Sequence, residues 1–267
     1  MRRRARSAAV ALIGLAAVLT GGAGRAPGPQ DPPRVGVPGC ADDVPVRASR
    51  ELIRFESRGR PVRAYLYTPG GEANGRGVVM LHGGTGFEMN SILFDAHAIQ
   101  LASRGYRVIL PAYFDAAAPD RSRPAATARA WRQAALDAAG QLAGRGVPAG
   151  EVALWGYSRG AGVGLDASTA EGSGIRSAVL AAGAGSVEES LAGRGLAVLL
   201  LHARRDEAVP VRATLALAED LREAGAAVQT AELPFTGHQY DLPTWCDVFA
   251  RTRGFLEGRT EAGHGPA

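Results

Sequence analysis

The sequence predicts an α/β fold: a mostly parallel central sheet with helices on both faces and no lid domain. Three observations predict it. From Gly77 onward, short apolar runs alternate with longer segments of helical composition, the pattern of repeated strand–helix units. The runs Val78–Leu81 and Leu196–His202 are continuously apolar, as strands covered on both faces must be. Once an N-terminal leader is set aside, about 240 residues remain, a size that suits one large domain.

The leader is residues 1–24. Arg2, Arg3, Arg4 and Arg6 precede an apolar stretch from Ser7 to Thr20, and small residues follow to Gly24, which reads as a secretory signal peptide. The apolar stretch is short for a membrane span, so cleavage is favoured over an uncleaved anchor. The expected location is secreted or periplasmic, with no stable membrane insertion. The chain has no lysine, and five of its 30 basic residues lie in or beside the leader. The remainder carries 25 arginines against 26 acids, a near-neutral balance that gives no support to nucleic-acid binding. Cys40 and Cys246 are the two cysteines. In an oxidising compartment they are expected to pair, the alternative being two free thiols.

Residues 25–49, rich in Pro, Gly and Asp, read as an arm or linker, residues 50–258 as the folded domain, and residues 259–267 as a flexible tail. Glu51–Arg58 and Val62–Thr68 alternate apolar and polar residues around Gly59-Arg60-Pro61, an edge hairpin. Strands are then expected at Val78–Leu81, Tyr106–Leu110, Val152–Trp155, Ile175–Ala181, Leu196–His202 and Val228–Leu233. Helices are expected from about Ser91 to Arg104, at Ala125–Leu142, from Ser158 to about Ala170, at Val211–Ala224 and at Leu242–Leu256. Ala182–Gly195 is too short to hold a lid.

The chemistry centres on Gly156-Tyr157-Ser158-Arg159-Gly160, a G-x-S-x-G match between a buried strand and a small-residue helix. With 36 glycines and 12 serines, composition alone makes such a match weak. Context strengthens it. A serine hydroxyl needs a base, and the base needs an orienting carboxylate. Asp206 lies in the loop after one apolar strand and His238 in the loop after the last, so Ser158, Asp206 and His238 follow the chain order of an α/β-hydrolase triad. Helix capping is the alternative role for Ser158, and pairing with Arg204 or Arg205 the alternative for Asp206, with Glu207 as substitute acid. Asp241 is expected to cap the last helix. His82 and His202 read as loop braces and His97 as a packed or surface residue. No histidine has metal-ligand spacing, and the glycine-rich loop after His82 lacks the lysine of a phosphate-binding loop. The oxyanion donors are expected to be the backbone N–H groups of Arg159 and of Gly84, with Thr85 next.

Five segments carry a family resemblance: VVMLHGGTG at 78–86, LASRGYRVILPAYF at 101–114, LWGYSRGAG at 154–162, LLLHARRDEAVP at 199–210 and ELPFTGHQY at 232–240. In this order they resemble the dienelactone hydrolase-like branch of the α/β-hydrolase superfamily. The resemblance implies the α/β-hydrolase fold, a nucleophile–acid–histidine triad and a site-lining segment at Tyr113, Phe114 and Asp115. Two residues depart from the family pattern, Ser158 where the founding members have cysteine, and Ala203 where glycine is common. The expectation is an exported serine hydrolase acting on a small carboxylic ester or lactone, with no cofactor and no metal. The alternatives are a peptidase or amidase of the prolyl-oligopeptidase type, disfavoured for want of room for a propeller, and a non-catalytic binding protein on a hydrolase scaffold.

Overall fold

The computed structural model describes residues 39–148 and 150–258. The expected signal peptide, most of the arm and the tail lie outside these residues. Eight strands form one sheet in the order β1-β2-β4-β3-β5-β6-β7-β8. They are β1 (Ala48–Ser57), β2 (Arg60–Pro69), β3 (Gly77–Leu81), β4 (Arg107–Pro111), β5 (Val152–Tyr157), β6 (Ser177–Ala181), β7 (Ala197–Ala203) and β8 (Ala227–Leu233). β2 runs antiparallel to β1 and β4, and β3 to β8 are parallel. The helices are α1 (Phe87–Ala102), α2 (Pro124–Ala143), α3 (Arg159–Thr169), α4 (Val211–Ala224) and α5 (Leu242–Leu256), with a 3-10 turn at Tyr113–Asp115. This is the α/β-hydrolase fold.

The central strands β3 to β7 are buried on both faces, and the period of two sorts their side chains. Val78, Met80, Ala153 and Trp155 pack with Phe94 and Leu101 of α1 and with Trp245 and Phe249 of α5. Val79, Leu81, Val152 and Leu154 pack on the other face with Trp131 and Leu142 of α2 and Val163 of α3. A third cluster, with Leu180 and Leu200 at its centre, is closed by Leu217 and Leu221 of α4. Hydrophobic burial on both faces fixes the register, because a one-residue slip would exchange the two core surfaces.

That register places the site. Leu81 is opposite Gly156, Tyr157 opposite Ala181, and Ala203 opposite Leu233, so the loops after β3, β5, β7 and β8 leave the same edge of the sheet. The chain reverses its direction across the sheet at β3, and a crevice at such a reversal is where open α/β sheets bind ligands. Residues 182–196, between β6 and β7, contain no helix.

The described part of the arm, from residue 40 to 44, is fastened to α1 and α5. Cys40 and Cys246 are joined by a disulfide. The Val44 amide donates to Gln100 Oε1 and the Val44 carbonyl accepts from Gln100 Nε2, both at 2.9 Å. Arg253 pairs with Asp42. Among the described residues no helix is long and apolar enough to cross a membrane.

Candidate active site

The site begins with a strained residue. Ser158 has φ 54° and ψ −118°, a conformation that costs a non-glycine residue about 1–3 kcal/mol. It caps nothing in α3, so its hydroxyl is free for other work. The glycines on either side make the turn sterically possible. A Cβ on Gly156 would collide with the Gly160 carbonyl, and a Cβ on Gly160 would collide with the carbonyls of Leu81 and His82. The motif is therefore a packing requirement: the start of α3 lies directly against the end of β3.

The strain points Ser158 Oγ at His238 Nε2, 2.8 Å away. His238 Nδ1 lies 2.8 Å from Asp206 Oδ2. The other carboxylate oxygen, Oδ1, accepts the backbone N–H groups of Ala208 at 2.9 Å and Val209 at 2.8 Å. With one oxygen held by the loop and the other on the imidazole, Asp206 is buried and orients His238 with Nδ1 protonated and Nε2 bare. Arg204 does not compete, since it pairs with Glu232 at 2.7 Å. Asp241 is occupied elsewhere, capping α5 through the Thr244 amide at 3.0 Å. The structure thus brings Ser158, His238 and Asp206 into one hydrogen-bonded chain.

Gly84 is exposed at the tip of the loop after β3, and Arg159 opens α3. Among the described residues neither amide has a hydrogen-bond acceptor, which leaves both available to a ligand. The loop is held from two sides. His82, fully buried, stacks on Tyr113 at 4.1 Å and has its Nδ1 2.9 Å from the Gly83 carbonyl, while the Tyr113 hydroxyl donates to the His82 carbonyl at 2.7 Å. Burial lowers the His82 pKa to about 4, so the ring is neutral and works as a brace. From the other side, Asn90 Oδ1 accepts both the Gly83 amide at 2.8 Å and the Thr85 hydroxyl at 3.1 Å.

Tyr113, Phe114 and Asp115, which the family resemblance suggests line the site, form a 3-10 turn after β4, with Tyr113 and Phe114 packed on His82. Phe114 lies against Trp131 of α2 with ring centroids 4.9 Å apart, and Asp115 takes a bidentate pair from Arg63 at 2.8 and 2.9 Å. Among the described residues no group of side chains could hold a metal ion.

The profile of the dienelactone hydrolase family matches residues 62–241, which take in the loop after β3, the strained serine, the acid and the histidine. The chain belongs to the dienelactone hydrolase family. The fold has solved counterparts in that family. A Klebsiella pneumoniae protein named as a candidate dienelactone hydrolase is 19% identical with a TM-score of 0.62, over 79% of this chain and 98% of its own. The dienelactone hydrolase-like promiscuous phosphotriesterase P91, from metagenomic libraries, is 18% identical with a TM-score of 0.63, over 79% of this chain and 98% of its own. An acylaminoacyl peptidase from Pyrococcus horikoshii is 14% identical with a TM-score of 0.61, but the match covers 83% of this chain and 43% of the peptidase. A search of curated proteins finds no match.

Within this family member, two positioning residues escape a reading of the sequence. Tyr157 is the variable residue before the serine. Its ring stacks on His238 at 5.3 Å, its hydroxyl donates to the His238 carbonyl, and burial keeps the phenol protonated by pushing its pKa up. Asn90 stands in the first turn of α1, in FEMNSILF, where the sequence carries no signal that sets it apart. His202 is buried with Nδ1 unpartnered, and burial lowers its pKa.

Proposed function

We propose that this dienelactone hydrolase family member is an exported serine hydrolase that cleaves a small carboxylic ester or lactone through an acyl-enzyme. The observation that carries the reading is the 2.8 Å contact between Ser158 Oγ, on its strained turn, and His238 Nε2, itself oriented at 2.8 Å by buried Asp206. In this mechanism His238 Nε2 takes the hydroxyl proton as Ser158 Oγ attacks the carbonyl carbon. Asp206 stabilises the imidazolium that forms. The Gly84 and Arg159 N–H groups bind the oxyanion, each worth ~10²–10³ in rate. His238 then protonates the leaving oxygen, and water, activated by the same imidazole, releases the acid. The chain's own groups supply every proton transfer. Export is supported by the leader at residues 1–24 and by the Cys40–Cys246 disulfide, which suits an oxidising compartment.

The peptidase-like fold counterparts favour a second reading, amide cleavage at the same triad. The two share the acylation step and differ in the leaving group. Incubation with a fluorophosphonate followed by peptide mass mapping is expected to place the adduct on Ser158. Ser158→Ala is expected to lose at least about 10³-fold in kcat on a para-nitrophenyl ester. An unlabelled Ser158, or an active alanine variant, overturns the mechanism. Faster turnover of matched anilides than of esters would replace the ester reading with the amide one.

A further inference from the structure

The sheet has two edges, and β1 leaves one of them open. Ser57 and Arg60 pair across a two-residue turn whose members, Arg58 and Gly59, both have positive φ, 50° and 72°. In such a hairpin the pair flanking the turn exchanges both backbone hydrogen bonds, and every second pair repeats the pattern. Odd-numbered residues of β1 therefore turn their backbone groups onto β2, and even-numbered ones turn theirs outward. Two bonds agree with this parity. The Arg47 carbonyl accepts from the Gly70 amide, and the carbonyl of Arg63, opposite Arg54, accepts from Ala112 at the end of β4, both at 2.7 Å. The outward N–H and C=O groups of Arg50, Leu52, Arg54 and Glu56 have no partner among the described residues.

An open edge is ordinarily blunted by a bulge, a proline or charges that repel a second strand. β1 has neither bulge nor proline, and its ten residues pair with β2 in one unbroken register. It does carry charges, and their order decides what it can meet. Leu52 stands 54% exposed between them. Arg54 and Glu56 are exposed and, among the described residues, have no ion pair. Arg50 gives one N–H to Asp95 of α1 at 2.7 Å, and its side chain remains 41% exposed. β8, the opposite edge, has a single charged residue, Glu232, already paired with Arg204, so it holds no self-complementary pattern.

A second copy can be laid antiparallel on β1 about a two-fold axis, and charge selects the register. An axis at Glu51 or at Arg54 opposes like charges on the axis itself. An axis at Leu52 sets Arg50 against Arg54 of the other copy, twice. An axis at Phe55 runs the strand into the turn and leaves only Ile53 to Ser57 overlapping. An axis at Ile53 keeps nearly the whole strand paired and opposes no like charges. It sets Arg50 against Glu56 twice and Leu52 against the aliphatic stem of Arg54 twice, and Ile53 meets itself. Even-numbered residues meet even-numbered ones, so each outward group from Arg50 to Glu56 finds its counterpart.

We propose that β1 is a docking edge for a second copy of this chain, joining the two sheets antiparallel in the register centred on Ile53. The backbone ladder supplies affinity and the side chains fix the register. The triad stands at the ends of β5, β7 and β8, so the contact is independent of the hydrolase reading.

Sedimentation velocity over a concentration series tests it. The purified chain is expected to show a monomer–dimer equilibrium with a dissociation constant on the order of 10 µM. Leu52→Pro removes an outward N–H that the ladder with β2 does not use. It is expected to sediment as a monomer with its melting temperature and its turnover of a para-nitrophenyl ester kept. Glu56→Arg, which sets like charges against each other at both ends, is expected to weaken the dimer about tenfold. Ile53→Cys places two thiols across the axis on Cα atoms about 4.5 Å apart, and is expected to give a reducible covalent dimer more readily than Leu52→Cys. A wild type that stays monomeric up to about 100 µM overturns the proposal. If the Leu52 amide of that monomer also resists hydrogen exchange, the edge is taken by another part of the chain. A dimer that Leu52→Pro and Glu56→Arg leave intact overturns it too, and places the contact on another face. A dimer broken by both, with no crosslink at Ile53, overturns the register.

Discussion

At the scale of single residues, the site is made of side chains held in place before a substrate arrives. Ser158 is strained, and the strain is maintained by contacts that a Cβ at Gly156 or Gly160 would break. Asp206 spends one oxygen on its own loop and one on His238. Asn90 does the same for the loop after β3, where a single amide oxygen holds the Gly83 N–H and the Thr85 hydroxyl. Asn90→Ala is therefore expected to lower kcat by about tenfold while KM changes less, because the oxyanion donors matter most in the transition state. Asn90→Asp, which keeps the acceptor, is expected to retain more activity than alanine. Steady-state kinetics on one ester check both, and a pure KM effect would contradict the role assigned to Asn90. The glycines, the serine, the acid and the histidine could be read from the sequence because their order and their neighbours are local facts. Asn90 and Tyr157 could not, because each matters through a partner that only folding supplies.

At the scale of elements, the strands were the more legible. Apolar runs in the central strands and apolar–polar alternation in the edge hairpin, with turn residues between them, mark all eight within a few residues. Helix starts were less legible. α1 begins at Phe87, four residues before the expected start, because its first residue follows Gly86 at φ 94° with no side-chain cap to announce it. That earlier start puts Asn90 within reach of the loop. The arm is the other element whose role depends on a distant partner. The disulfide spans a sequence separation of 206 residues, and the Asp42–Arg253 pair and the Val44–Gln100 bonds lie beside it. Cys246→Ser is expected to destabilise the fold by about 2–5 kcal/mol, read as a lower urea midpoint. A loss of hydrolase activity is then expected only where the fold itself begins to melt.

At the scale of the whole molecule, the two-sided core buries histidines as neutral groups. His97 stacks on Phe249 at 3.7 Å with both ring nitrogens buried and unpartnered, and burial lowers its pKa from 6.5 to about 3. The unfolded chain takes up this proton below pH 6.5, whereas the folded chain refuses it until about pH 3. Stability is therefore complete above pH 6.5 and falls by about 1.4 kcal/mol per pH unit below it, until the folded value is reached. His82 adds to the same acid limb, ending nearer pH 4. His97→Phe is expected to flatten that limb, so urea midpoints at neutral pH and at about pH 4.5 should differ less in the variant than in the wild type. Equal losses would show that His97 does not set the acid sensitivity.

What the sequence by itself determined is the order of the parts: apolar strands alternating with helices, a glycine-flanked serine after one strand, an acid and a histidine after two others. These follow from local chemistry, because burial on both faces dictates the strands and a tight turn dictates the glycines. Only the tertiary structure decided which of these parts meet. Parallel pairing in register brings the ends of β3, β5, β7 and β8 to one edge, so residues up to 80 positions apart close one hydrogen-bonded chain. It also decided where Arg159 rests, between the Trp131 ring and the bare backbone of Gly84. Side-chain placement of this kind depends on packing between α2 and the loop after β3, and packing between segments distant in the chain leaves no periodic signal in either of them.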